Sequence, residues 1–168
     1  VRVTLASQAG VISRAQLESL GAAPHDVQRW RRRRELVDLH RGVYLDHTGE
    51  PTWLQRAWAA VLVCAPAALC HESALRVAEG PVRDDLSRES IIHVAVAHQR
   101  RLVTPPEIRL HRMRDLDGQT LWNLGPPRQR YEEAALDVAV GVADELPAIA
   151  TLATVVQGRR TTARRLLE

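Results

Sequence analysis

The sequence predicts an α+β chain of 168 residues, and three observations predict it. Helical segments with sequence-encoded ends recur at residues 13–33, 52–64 and 72–79 and again beyond 128, while period-two or β-prone runs occupy 36–45, 91–97 and 108–112. The basic charge is unevenly placed: residues 1–45 hold eight arginines against four acids, and residues 46–168 hold fifteen against sixteen. A polar stretch at 46–51, Asp-His-Thr-Gly-Glu-Pro, separates the two regimes. The expected organisation is a basic domain at 1–47 and a mixed helix/strand domain at 52–168.

The first helix begins at Ser13, whose hydroxyl suits the N–H of Gln16 while the Gln16 side chain reaches back to Ser13, with Ile12 and Leu17 placed to staple the turn. Gly21 ends this helix after about two turns. Pro24 then suits a first helical position, because its fixed φ fits there and its missing N–H is not needed. A second helix follows to about Arg33, with Val27, Trp30 and the aliphatic stem of Arg31 on one face and His25, Gln28, Arg29 and Arg32 on the other. Leu36–His40 and Val43–Leu45 flank Arg41-Gly42 as a hairpin. Helix, tight turn, helix and basic-tipped hairpin is the order of a winged helix-turn-helix.

In the second domain Thr52 and Gln55 repeat the capping-box spacing and open a helix from Trp53 to about Cys64, apolar nearly all round. The apolar run Ala57–Cys70 is fourteen residues and contains Pro66, too short for the roughly 20 residues that span a bilayer, so no membrane partner is expected. A helix at about Glu72–Glu79 stops at Gly80. Strands are expected at Ile91–Ala97, Ile108–Arg112 and Leu121–Leu124, the last two separated by an Asp117-Gly118 turn. From Arg128 the pattern is helical in two pieces split near Pro147, and a capped helix at Thr161–Leu167 looks cut short by the chain end. That suggests a further C-terminal domain missing from this chain.

Composition narrows the chemistry. All 23 basic residues are arginine, which removes Schiff bases, phosphate-loop lysines and nucleases with a catalytic lysine. A GC-rich genome explains the absent lysine but not the segregation of charge. With 45 % hydrophobic and 26 % charged residues the chain is neither disordered nor membrane-embedded in character, and two cysteines without a leader-like start point to a reducing, cytoplasmic compartment.

Arg31–Arg34 stand at the end of the second helix, where cations also complement the helix dipole, so a solvated basic helix end is one reading. In a winged helix the other reading follows: the N-terminal half of the second helix meets base edges, and flanking arginines and the wing tip meet phosphates. The expected base-contacting residues are His25, Gln28 and Arg29, and the expected phosphate-contacting residues are Arg32, Arg33 and Arg41. Arginine and glutamine can pair in bidentate fashion with guanine and adenine. Asp38 in the hairpin is an unfavourable charge beside a phosphate backbone.

No enzymatic constellation is expected. No G-x-S-x-G surrounds any serine, Ser87 and Ser90 included, and no glycine-rich phosphate loop occurs. The acid pairs Asp84-Asp85 and Glu132-Glu133 read as solvated charge. Cys64, Cys70 and His71 lack a recognised zinc spacing in an apolar context, so Cys64 and Cys70 read as two buried structural cysteines, with no metal and no cofactor implied. His71-Glu72-Ser73-Ala74-Leu75 lacks the second histidine of a zinc-protease helix. His93 and His98 have no evident carboxylate partner.

Gly10-Val11-Ile12-Ser13-Arg14-Ala15-Gln16-Leu17, then Gly21, Arg29 to Val37 and Arg41-Gly42-Val43-Tyr44 resemble the N-terminal winged-helix domain of the AbiEi-type antitoxins of type IV toxin-antitoxin systems. Leu69–Leu75, Ile92–Val96 and Ile108–Arg112 resemble the second domain of actinobacterial members, so the resemblance spans most of the chain. It implies a repressor that binds an inverted-repeat promoter site on double-stranded DNA, as a homodimer or a pair of monomers, and whose second domain opposes a nucleotidyltransferase-like toxin. Two departures stand out. Ala23 occupies the place of a Ser or Thr cap and Arg34 that of a Gly, which implies a longer or less sharply ended recognition helix. Alternative readings are the regulatory N-terminal part of an endonuclease-like protein, or a protein-interaction module.

Overall fold

The computed structural model describes residues 1–80 and 91–167; Asp84, Asp85, Ser87, Ser90 and Glu168 lie outside the described residues. The chain is α+β, with a three-stranded and a five-stranded sheet.

The N-terminal region runs α1 (Arg2–Ser7), β1 (Val11–Ser13), α2 (Arg14–Ser19), α3 (Pro24–Arg32), β2 (Val37–His40) and β3 (Val43–Leu45). Its sheet is antiparallel in the order β1-β3-β2. This is the winged-helix order, with two elements, α1 and β1, beyond those expected. The anticipated capping box closes: Ser13 Oγ accepts the Gln16 N–H at 3.2 Å, and Gln16 Oε1 accepts the Ser13 N–H at 3.0 Å. Ile12 and Leu17 are fully buried with Val27, Leu36 and Tyr44, and Trp30 packs against them. Burying each aliphatic side chain contributes about 1.5–3 kcal/mol, which holds α2 and α3 to the sheet despite their short lengths.

Both helices end in the same way. After α2, Gly21 (φ +85°) lets its N–H reach Glu18 O at 3.0 Å and the Ala22 N–H reach Leu17 O at 3.0 Å. After α3, Arg34 takes the left-handed conformation (φ +58°), its N–H reaches Arg31 O at 3.1 Å, and the Glu35 N–H reaches Trp30 O at 2.9 Å. Both are Schellman endings. α3 is therefore neither extended nor frayed by having Arg where glycine is preferred. At its start Ala23 offers no side-chain acceptor, and Asp26 Oδ2 instead accepts the Ala23 N–H at 3.1 Å. The hairpin turns at Arg41-Gly42, where Gly42 has φ +77°.

The capping box at Thr52 and Gln55 opens α4 (Trp53–Cys64), as expected. Its two flanks serve two cores: Trp58 and Ala59 pack with Val11, Val43 and Leu45, while Ala57, Ala60, Val61 and Cys64 pack with Leu69, Val94 and Val96. Gln55 Nε2 also donates to Ala9 O at 2.9 Å, so polar and apolar contacts both join α4 to the winged helix.

The larger sheet has the order β6-β5-β4-β8-β7, built from β4 (Ala68–Leu69), β5 (Ile92–Ala97), β6 (Ile108–Met113), β7 (Thr120–Leu121) and β8 (Arg128–Gln129). β5 and β6 are parallel, with Ala95 opposite His111. Around it lie α5 (His71–Glu79), α6 (Leu116–Gln119), α7 (Tyr131–Val140), α8 (Glu145–Gln157) and α9 (Ala163–Leu166).

Four sequence expectations change. The Asp117-Gly118 turn is part of α6, because Asp115 caps the Gly118 N–H at 3.0 Å. Of the expected strand Leu121–Leu124 only Leu121 is strand, joined with Thr120 as β7. Arg128–Gln129 is a strand rather than the start of a helix. The break between the late helices lies at residues 141–144, and Pro147 sits in the first turn of α8, where its absent N–H costs no hydrogen bond. Among the described residues no helix is long and apolar enough to cross a membrane.

Candidate functional site

On α3 the residues His25, Gln28, Arg29 and Arg32 recur at the i, i+3, i+4, i+7 spacing of one helix face, and all four are exposed. Val27 and Trp30 point the other way, into the core. The face is thus produced by the apolar stripe behind it: burying Val27 and Trp30 leaves the basic and amide groups no direction but outward.

Asp26 organises this face from its edge. Its Oδ1 lies 2.8 Å from Arg29 Nη2 and 3.7 Å from His25 Nε2, while Oδ2 holds the helix start. One carboxylate therefore caps the backbone and orients two of the three expected base-contacting side chains. Gln28 lines an open cleft of about 670 Å³ between the C-terminal half of α3 and the wing, with Arg32, Arg34, Val37 and Thr48.

Arg31 departs from the sequence reading. It is exposed, not stacked along the apolar stripe, and its Nε and Nη2 donate to Asp38 Oδ2 at 3.1 and 2.5 Å. This pair sets a cation against Asp38, the acid in the hairpin. Arg33 stands 3.9 Å from Glu35. Among the described residues no ion pair engages Arg32, Arg34 or Arg41. Arg41 lies apart from the α3 arginines. It sits at the far end of β2, beside Arg14, whose N–H donates to Gly42 O at 2.8 Å. The four strand residues of β2 span roughly 13 Å, so Arg41 stands at the end of β2 away from its junction with α3.

A second constellation was not legible in sequence. Three imidazoles converge where β4 passes into α5: the His71 and His111 ring centroids are 3.8 Å apart, His93 and His111 5.1 Å, and His71 and His93 5.7 Å. His93 Nδ1 is 3.0 Å from His111 Nε2 and 3.4 Å from Glu72 Oε2. His93 therefore has the carboxylate partner that the sequence failed to indicate, whereas His98 is exposed beyond the end of β5.

Burial lowers the pKa of His93, and burial together with neighbouring His71 and His93 pushes His111 down to about 4, so both rings are neutral near pH 7. Cys70 is fully buried beside them, and desolvation holds its thiol well above the usual value. Cys70, His71 and His111 each present one ligand atom, all within 4.8 Å of one another. Cys64 lies on α4 outside this group; burial raises its thiol to about 11. The cluster joins a cleft of about 580 Å³ that Arg112, Arg114 and Asp137 also line. Sequence spacing could not reveal it, because parallel pairing of β5 with β6 and the turn after β4 bring the three histidines together.

No model of a known protein family matches the chain. No match to a curated protein was found either.

Proposed function

We propose that the chain is a sequence-specific regulator that binds double-stranded DNA through its N-terminal winged helix. The observation that carries this reading is the exposed face of α3, where His25, Gln28, Arg29 and Arg32 stand together in front of a buried stripe. Gln28 and Arg29, with His25, have the donor and acceptor chemistry to read base edges in a major groove. Arg32, Arg33 and Arg41 supply phosphate contacts on two separated stretches of backbone. The resemblance to AbiEi-type antitoxins adds an inverted-repeat promoter site, homodimeric occupancy of it, a cytoplasmic setting and opposition to a nucleotidyltransferase-like toxin through the second domain. Catalysis forms no part of this reading.

The test is a fluorescence-anisotropy titration with DNA from upstream of its own gene, repeated over a salt series. Arg29→Ala should change the preference among sequences. Arg33→Ala and Arg41→Ala should weaken all sequences alike, each lowering the salt slope by about 0.9. A flat salt dependence, or an Arg29→Ala protein with unaltered affinity and preference, refutes the proposal.

One observation favours a protein partner for the second domain. On α8, Leu146, Ile149, Ala150 and Ala153 form an exposed apolar face at helical spacing, with Leu146 80 % and Ile149 53 % exposed. Such a face suits docking to protein rather than to nucleic acid.

A further inference from the structure

The cluster between α5, β5 and β6 has donor chemistry that DNA recognition does not use. A thiol and two imidazoles from different elements converge, and a third imidazole backs one of them. Cys70 is held as the residue before α5, with its N–H on His93 O at 3.1 Å. His71 follows with φ +49°, a left-handed conformation that a non-glycine residue adopts at a cost, and this turns the ring back toward the sheet. Its Nδ1 is buried and finds no hydrogen-bond partner among the described residues. A buried donor or acceptor without a partner is uncommon and calls for a ligand or other explanation.

We propose that Cys70, His71 and His111 form a binding site for a divalent cation of the zinc class, with a fourth coordination position open to the cleft beside Asp137. Thiolate with imidazole is the donor set that favours zinc over magnesium or calcium. Donors around one tetrahedral zinc ion stand about 3.3–3.8 Å apart, as follows from metal–ligand bonds of about 2.0–2.3 Å. Ligand atoms already within 4.8 Å need only small side-chain adjustments to reach that spacing. On binding, the Cys70 S–H proton passes to solvent and the sulfur forms the metal bond, with no change of oxidation state.

His93 is the positioning residue in this scheme. With His111 ligating through Nδ1, its Nε2–H donates to His93 Nδ1 at 3.0 Å, the outer-layer hydrogen bond that orients a ligating imidazole, and the Glu72 carboxylate stands 3.4 Å from the same His93 nitrogen. Three protein ligands and a fourth position facing a cleft make an open site, of the kind that holds a water or an exogenous anion. Arg112 and Arg114 at the same cleft would favour the anion.

The experiment titrates the full chain, stripped of metal, with cobalt(II) as spectroscopic probe and then with zinc(II) as competitor. The expected result is one equivalent of cobalt with intense visible bands of tetrahedral coordination and a thiolate-to-cobalt charge-transfer band, both lost when zinc is added. Cys70→Ser should remove the charge-transfer band, while Cys64→Ser, the other thiol of the chain, should keep it. His93→Gln should weaken zinc binding by about 10–100-fold with the charge-transfer band retained. Absence of a tetrahedral spectrum, or a charge-transfer band that survives Cys70→Ser, overturns the proposal. If Cys70→Ser does not fold, His111→Gln decides, since this residue is only half-buried: unchanged cobalt affinity would be equally fatal.

Discussion

Replacing Arg34 by glycine should stabilise the protein, and the size of the effect can be worked from the ending of α3. Arg34 has φ +58°; its N–H donates to Arg31 O and the following Glu35 N–H to Trp30 O, the two Schellman hydrogen bonds. The left-handed conformation costs an L-residue about 1–2 kcal/mol. Glycine escapes that cost but gains about 0.4–1 kcal/mol of extra chain entropy in the unfolded state. Arg34→Gly also removes a cation that favours a helix C-terminus, so the clean comparison is with Arg34→Ala, which removes the same charge and keeps the conformational cost. Glycine should exceed alanine by about 0.5–1 kcal/mol, or about 1–4 °C in Tm for a chain of this length. Differential scanning calorimetry of the two variants measures the difference. Alanine equal to or better than glycine would show that Arg34 is not held left-handed, and the account of how α3 ends would fail with it.

Other outcomes follow from the same contacts. Ser13→Ala should cost about 1 kcal/mol by removing the acceptor for the Gln16 N–H, seen as a lower midpoint in urea. Asp26→Asn keeps an acceptor for the Ala23 N–H but releases Arg29 and His25 from a carboxylate; anisotropy titrations should show tighter DNA binding with less discrimination between sequences. Cys64 reacts as a thiolate, and with its thiol raised from 9.0 to about 11 the folded protein should alkylate about 100-fold more slowly at pH 8 than the urea-unfolded chain. The same shift gives a pH dependence. The unfolded chain releases the Cys64 proton first, so the stabilisation is complete below pH 9 and is lost as pH rises toward 11, a decline that Cys64→Ser should lessen in thermal melts.

What was readable in the sequence was local. Helix starts at Ser13 and Thr52 appear in both sequence and structure because a capping box lies within four residues and needs no distant partner. The hairpin around Gly42 is legible for the same reason. The two-residue strand β4 is not, since it exists only by pairing with β5 and β8 far along the chain, and β8 owes its place in the sheet to that distant partner as well as to nearby β7. β1 is a strand because Val11 and Ile12 pair with Leu45 and Tyr44 more than thirty residues away, which the local sequence does not encode.

By itself the sequence determined an α+β chain, the positions of its capped helices, and a basic, polar set of residues on one face of the second helix of the winged unit. Those are consequences of backbone capping and of 3.6-residue periodicity, which act over a few residues. Tertiary structure decided the state of the charges and the company of the histidines. Arg31 is bound to Asp38 because β2 returns alongside α3, which leaves Arg32, Arg34 and Arg41 as arginines outside any ion pair among the described residues. His111 meets Cys70, His71 and His93 because β5 and β6 run parallel beside β4. Both depend on sheet pairing between distant segments, whose geometry no local spacing encodes.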